Sequence, residues 1–117
     1  MGFKGWIGID LDGTLALDDN TYAHGRIGPP VARMVERIRE WRAAGRDVRI
    51  FTARANDPDC LPPIEAYCLE HLGEVLPITA TKDYGMEVLY DDRCVQIVKN
   101  TGMTVLEHTL SQQGIEQ

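Results

Sequence analysis

The amino-acid sequence predicts an α/β fold, in which a mainly parallel sheet forms the core of one domain. Short apolar segments bounded by turn-forming residues alternate with two stretches whose apolar residues recur every three or four positions, the pattern of strands alternating with amphipathic helices. The 117 residues suffice for one compact domain, and 44% hydrophobic against 26% charged residues is typical of a folded chain. We therefore expect residues 1–117 to form a single domain.

The first half of the chain predicts a strand, a loop, a helix and a second strand. Residues 3–10 are short and apolar, and residues 15–28 are rich in turn formers, which indicates a loop or small hairpin overhanging the strand end. Pro29 and Pro30 suit the first turn of an amphipathic helix that ends at Gly45. Residues 47–52 then form the second strand, and this order implies a right-handed parallel crossover.

The second half predicts one more crossover helix and several shorter strands. A turn-rich segment precedes an apolar stripe at residues 64–72, which ends before Gly73. Three short apolar segments are strand candidates: residues 76–81, 88–90 and 95–98. Residues 103–110 fit either a strand or a short helix, and residues 111–117 are polar enough to fray.

Charge and composition favour some partners over others. Twelve Lys and Arg against eighteen Asp and Glu give a net charge of −6, which opposes long polyanions because phosphate-backbone binding needs clustered cations. A small phosphorylated substrate is compatible, since a local set of donors and a metal can hold it. The three cysteines show neither a disulfide framework nor zinc spacing. Without a signal-peptide pattern or about 18 consecutive apolar residues, we expect a cytoplasmic protein that does not enter membranes.

The most informative motif is Asp10-Leu11-Asp12-Gly13-Thr14, directly after the first predicted strand. Because side chains alternate along a strand, Asp10 and Asp12 project on the same side. Two neighbouring carboxylates repel and can both stay ionised only beside a cation, so the pair indicates a hard divalent ion such as Mg²⁺. Gly13 allows a sharp turn at the carboxyl end of the strand, which is where parallel α/β sheets bind ligands.

The same letters could also open a calcium-binding EF-hand loop. Counted from Asp10, however, the sixth position is Leu15 where the loop needs Gly, and the twelfth is Thr21 where it needs Glu. No helical pattern precedes the motif either. The EF-hand is therefore disfavoured.

Asp10, Asp12, Gly13 and Thr14 match the first motif of the haloacid dehalogenase superfamily of phosphatases, and the chain resembles that family over residues 10–92. The resemblance implies a Rossmann-like core: a single doubly wound, mainly parallel sheet with helices on both faces. Many relatives carry an inserted cap domain, but the two gaps that could hold one are too short here. The chain therefore resembles a capless member.

Three further matches follow in the family's order. Thr52 closes the second predicted strand, where the family has a hydroxyl that holds the phosphoryl group. Lys82 follows the third strand and resembles the basic residue that neutralises phosphate and nucleophile. Asp91 and Asp92 follow Val88-Leu89-Tyr90 and resemble the acidic motif that completes the magnesium site.

The spacing departs from the family at one place. Only eight residues separate Lys82 from Asp91, whereas many members fit a helix between these motifs. Arg54 and Arg93 are therefore alternative phosphate contacts, and Arg54 is the better of the two. The segment at residues 47–54 also resembles small stand-alone phosphatases related to polynucleotide kinase phosphatase domains, although the acidic charge disfavours a nucleic-acid end as substrate.

The resemblance implies a role for each of these residues. Asp10 would attack phosphorus to form an aspartyl-phosphate, and Asp12 would act as general acid and base, which requires a raised pKa. Mg²⁺ would be held by Asp10, the Asp12 backbone carbonyl and Asp91, with Asp92 as a further ligand through water or as a support. The phosphoryl group would be held by Thr52, Arg54 or Lys82, and by backbone N–H groups near Thr14.

A competing hypothesis is a phospho-acceptor signalling module, or a non-catalytic module that binds metal and phosphate. Receiver domains share this fold and these residue types, but they place the acidic pair at the first strand and the acceptor on a later one. Here Asp10 opens the set and Asp91 with Asp92 closes it. The sequence fixes neither the substrate nor the oligomeric state, and a homo-oligomer stays open.

Overall fold

The computed structural model describes residues 5–18 and 25–114 of the chain. Residues 3–4 of the first predicted strand, 19–24 of the predicted loop and 115–117 of the tail lie outside them. Besides two short 3₁₀ turns, the described part has seven strands and α-helices: β1 (Trp6–Asp10), α1 (Ala32–Ala43), β2 (Asp47–Phe51), α2 (Leu61–Leu72), β3 (Ile78–Thr79), β4 (Met86–Tyr90) and α3 (Val105–Gln112). None of these helices is long and apolar enough to cross a membrane.

The four strands form one sheet in the order β3-β2-β1-β4, and every neighbouring pair is parallel. The chain winds from β1 through β2 to β3 on one side, and then returns to add β4 on the other side of β1. This confirms the predicted Rossmann-like α/β fold, and residues 5–18 and 25–114 contain no cap domain. The carboxyl ends of β1 and β4 meet where the winding direction reverses, which is the position at which open α/β sheets bind ligands.

The hydrophobic core lies between the sheet and helices α1 and α2. Strand alternation directs Ile7 and Ile9 of β1, with Val48 and Ile50 of β2, into it, and all four are at most 2% exposed. Helix α1 contributes Ile38 among others. Helix α2 and the residues around it contribute Ile64, Tyr67, Cys68 and Leu76.

Helix α1 begins later than predicted. Its first residue is Ala32, with Val31 as N-cap, so Pro29 and Pro30 precede the helix. The prediction was wrong because the backbone there pairs with the segment after the motif. The Leu17 N–H donates to the Pro29 carbonyl at 2.8 Å, and the Val31 N–H donates to the Leu15 carbonyl at 2.7 Å. This pairing holds the base of the predicted loop or small hairpin.

The elements after β2 agree with the sequence in part. Strand β3 keeps two residues of the predicted 76–81, whereas β4 extends the predicted 88–90 by two. Residues 95–98 form no strand, and a single bridge joins Ile97 to Thr104. Their apolar side chains are not part of the hydrophobic core, and Val95 is 72% exposed. The tail is helical: α3 begins after Thr104, whose hydroxyl accepts the Glu107 N–H at 3.0 Å.

Candidate active site

A tight turn after β1 presents the carboxylates of the motif. The Ala16 N–H donates to the Leu11 carbonyl at 2.8 Å, and the Gly13 N–H donates to the Ala16 carbonyl at 2.8 Å. Leu11, Leu15 and Ala16 are fully buried and anchor the turn in the core. The polar residues between them are thereby held at the carboxyl end of the sheet.

Three carboxylates meet where β1 and β4 end. Asp10, Asp91 and Asp92 each offer an oxygen atom, and these atoms lie within 4.8 Å of one another. Thr14 links them, because its hydroxyl lies 3.2 Å from Asp10 Oδ2 and 3.3 Å from Asp92 Oδ1 and accepts the Asp92 N–H at 3.0 Å. The predicted acidic motif therefore lies beside Asp10, as the parallel pairing of β4 with β1 requires.

Glycine is the only residue that fits at position 13 beside Asp92. Its φ is +92°, and a Cβ atom built there would lie 2.5 Å from Asp92 Oδ2. Any side chain would strain the backbone and displace the carboxylate. The glycine of the motif is thus required by the approach of Asp92, in addition to the turn itself.

Burial, the hydrogen bond with Asp92 and the negative charges of Asp91 and Asp92 raise the pKa of Asp10 to about 7, against an ordinary value of 3.8. The Thr14 hydroxyl lowers it in part. Burial is the largest cause, and the neighbouring carboxylates add to it because like charges without a cation between them repel. Three convergent carboxylate groups are also the hard oxygen donors that Mg²⁺ prefers, so the residues present fit a divalent cation.

Asp12 lies apart from the three carboxylates and is paired with Arg54. The guanidinium Nε is 2.9 Å from Asp12 Oδ2 and Nη2 is 2.8 Å from Oδ1, a bidentate pair. Nη2 also donates to the Arg26 carbonyl at 2.8 Å, so the pair is tied to the chain that leads into α1. The two side chains are only 19% and 13% exposed.

Thr52 closes β2 and fixes the base of Arg54. Its N–H donates to the Thr79 carbonyl at 2.9 Å, and its hydroxyl accepts the Arg54 N–H at 3.2 Å, which caps a short 3₁₀ turn at Ala53–Asn56. The side chain is buried, with 4% of the residue exposed. Because the hydroxyl accepts that bond, its own proton is available to a ligand.

A cavity of about 550 Å³ brings most of the predicted site residues together. Its wall includes Asp10, Asp12, Thr52, Arg54, Asp91 and Arg93. Sequence reasoning missed Asp18, Phe51 and Ala53, which also line it. Phe51 and Ala53 flank Thr52 in the sequence, so the position of Thr52 at a strand end could have indicated them. Asp18 falls in the predicted loop.

Two predicted phosphate contacts, Thr14 and Lys82, are not on the cavity wall. Thr14 lies beside the cavity, where its hydroxyl contacts Asp10 and Asp92, whereas Lys82 lies far from it. Lys82 is exposed, and its neighbour Asp83 accepts the Trp6 indole N–H at 2.8 Å, at the opposite end of β1. The reason is the short connection: six residues, 80–85, must carry the chain from the end of β3 across the sheet to the start of β4. Within the described residues, Arg54 and Arg93 are the basic residues on the cavity wall.

Comparison with known proteins supports the fold and gives no information on function. No family model matches the chain, and no curated protein matches it. A solved structure of the conserved protein coded by a locus from Bacteroides thetaiotaomicron is similar, with a TM-score of 0.59 over 94% of this chain and 91% of that chain. The two sequences are 16% identical, and at that identity the similarity concerns the fold alone.

Proposed function

We propose that this protein is a Mg²⁺-dependent phosphohydrolase that cleaves phosphomonoesters through an aspartyl-phosphate on Asp10. The observation that carries the proposal is the convergence of carboxylate oxygens from Asp10, Asp91 and Asp92 within 4.8 Å, beside a cavity lined by Thr52 and Arg54. A carboxylate nucleophile, an oxygen-rich cation site and donors for phosphoryl oxygens are the parts that phosphoryl transfer needs.

The chemistry divides into two steps on this chain. An Asp10 oxygen attacks phosphorus in line and the bond from phosphorus to the leaving oxygen breaks. For this step Asp12 must first take up a proton from solvent, which it then gives to the leaving oxygen. An alcohol leaves, and an acyl phosphate stays on Asp10. Asp12, then a carboxylate, takes a proton from a water molecule that attacks phosphorus, which releases inorganic phosphate and restores the Asp10 carboxylate.

The remaining site residues bind and orient. Mg²⁺, held by Asp10 and Asp91 with Asp92 as a further ligand or support, would supply the positive charge that lets a carboxylate approach a phosphate. The Thr52 hydroxyl and the Arg54 guanidinium donate hydrogen bonds to phosphoryl oxygens. Arg54 takes the part that the family resemblance assigned to Lys82, since Arg54 lines the cavity.

A phospho-acceptor signalling module is the alternative that this residue set must be distinguished from. Asp12 lies on the same cavity wall as Asp10, two residues along the chain. An acid/base group in that position favours hydrolysis of the acyl phosphate, whereas a receiver must retain its phosphate. This supports turnover over storage.

The first test is hydrolysis of p-nitrophenyl phosphate with and without Mg²⁺. We expect metal-dependent turnover that falls about a thousandfold or more in Asp10→Asn. Asp59→Asn removes an exposed carboxylate outside the cavity wall and should leave the rate unchanged. Equal rates in the wild type and Asp10→Asn would refute the proposal, and a stable acyl phosphate on Asp10 without turnover would favour the signalling alternative.

A small phosphorylated substrate and a cytoplasmic location complete the proposal. The net charge of −6 disfavours a nucleic-acid end, and the cavity volume suits a small ester. Cys60, Cys68 and Cys94 are free thiols, which is typical of proteins in a reducing compartment.

A further inference from the structure

We infer that Arg54 exchanges partners during the reaction: the guanidinium edge that clamps Asp12 in this structure transfers to the phosphoryl group of the substrate and thereby releases the Asp12 carboxylate. This inference rests on the proposed function and deepens it, because it names the device that couples substrate binding to the freeing of the acid/base residue.

The same edge of the Arg54 guanidinium can bind either of two anions. Arg54 uses Nε and Nη2 together to hold both oxygens of Asp12, at 2.9 and 2.8 Å. The Nε and Nη2 pair is also a fork that matches two oxygens of a phosphate. Both residues line the same cavity, so a phosphate bound there competes with Asp12 for that edge.

Both carboxylate oxygens of Asp12 accept hydrogen bonds from Arg54. An acid/base group must contact the leaving oxygen directly or through one water molecule. A carboxylate clamped at both oxygens, with 19% of its side chain exposed, is held away from that contact. Asp12 therefore gains its role only when Arg54 turns to another anion.

Arg54 is held at both ends: its backbone is fixed by Thr52, and its guanidinium bonds Asp12 and the Arg26 carbonyl. Thr52 accepts the Arg54 N–H at 3.2 Å at the start of a short 3₁₀ turn, so the backbone is held next to the cavity. The exchange then needs no backbone movement at Arg54, but rotation of the side chain also gives up the 2.8 Å hydrogen bond from Nη2 to the Arg26 carbonyl. Opening the pair with no substitute would separate two opposite charges at a largely buried site, which is costly, whereas an arriving phosphate gives Arg54 a replacement anion.

The test is the affinity for inorganic phosphate, measured by calorimetry with Mg²⁺ on the wild type, Asp12→Asn, Arg54→Gln and the double variant. Removing the competing carboxylate should tighten phosphate binding about tenfold or more in the wild-type background. In the Arg54→Gln background the same substitution should change the affinity by less than about threefold, since no guanidinium is left to release. Asp59→Asn serves as the charge-matched control and should bind phosphate as the wild type does.

An equal gain in both backgrounds would show that Asp12→Asn acts only by removing a negative charge, and it would overturn the exchange. No gain in either background would overturn it as well. If phosphate binds and p-nitrophenyl phosphate is hydrolysed while these results fail, only the exchange falls. If no protein binds phosphate, the exchange is overturned, and if p-nitrophenyl phosphate is not hydrolysed either, the proposed function falls with it.

A second measurement covers the case in which Arg54→Gln does not fold. The Nε–H group of Arg54 gives an NMR signal that Arg54→Lys identifies by its loss. We expect this signal to shift on addition of phosphate to the wild-type protein with Mg²⁺. A signal that stays unchanged while phosphate binds would overturn the exchange.

Discussion

Replacing Asp10 by Asn should stabilise the metal-free protein at alkaline pH, although it should abolish turnover. The substitution keeps an oxygen atom for the Thr14 hydroxyl, which lies 3.2 Å from Asp10 Oδ2. It removes one of the three carboxylate charges that converge within 4.8 Å. The gain in stability therefore measures what it costs to hold a charged Asp10 at this partly buried site, through burial first and through repulsion by its acidic neighbours next.

The magnitude and sign follow from the pKa of Asp10, which is raised from 3.8 in the unfolded chain to about 7 in the folded protein by burial first and by its acidic neighbours next. Between these two values the folded state binds the extra proton, so the free energy of unfolding falls as pH rises from about 4 to about 7. The full shift corresponds to about 4 kcal/mol. Because solvent screens the partly exposed cluster, we expect about 1–2 kcal/mol above pH 7.

The assay is urea unfolding at pH 5 and pH 8 in the presence of a chelator. Asp10→Asn should exceed the wild type by about 1–2 kcal/mol at pH 8 and match it within about 0.5 kcal/mol at pH 5, where Asp10 is neutral in the folded protein. Asp59→Asn, the exposed control, should follow the wild type at both pH values. A difference between Asp10→Asn and the wild type that is the same at both pH values would refute the reasoning.

Three other substitutions test the scaffold. Gly13→Ala should lower the free energy of unfolding by about 1–3 kcal/mol, since the φ of Gly13 is +92° and a Cβ atom there would lie 2.5 Å from Asp92 Oδ2. The variant should also be stabilised less by Mg²⁺. A melting temperature equal to that of the wild type, with and without the ion, would contradict this. Trp6→Phe loses the 2.8 Å hydrogen bond to Asp83 and should cost about 1 kcal/mol in urea unfolding; no loss would show that the bond is replaced by water. Ile64→Ala empties a fully buried core position and should cost about 2–5 kcal/mol, and a cost below about 1 kcal/mol would place the residue outside the core.

The sequence predicted the parts of the fold that depend on local burial. Ile7, Ile9, Val48 and Ile50 recur at every second position and all enter the core, so the first two strands and their parallel pairing were predictable. The start of α1 was not, because backbone pairing with the chain after the motif takes precedence over the helical preference of Pro29 and Pro30. The apolar residues 95–98 suggested a strand that does not form, because they pair with no strand of the sheet.

The candidate site divides in the same way. The motif from Asp10 to Thr14, and the acidic pair Asp91 and Asp92, could be placed together from the sequence, because each follows a strand and parallel strands end at one edge of the sheet. The bidentate pair of Arg54 with Asp12 could not, since it joins residues 42 positions apart through side-chain directions that no local pattern encodes.

The sequence by itself therefore determined which segments are strands and helices at the core and where the acidic residues fall relative to strand ends. Those features depend on periodicity, and periodicity is a local property of the chain. Only the tertiary structure decided which basic residue faces the cavity. Lys82 is drawn away by a connection of six residues that must cross the sheet, while Arg54 is held beside Asp12 by the capped turn after β2. Whether a side chain reaches the cavity depends on the lengths of the connections and on the order of the strands, and no single sequence motif encodes either.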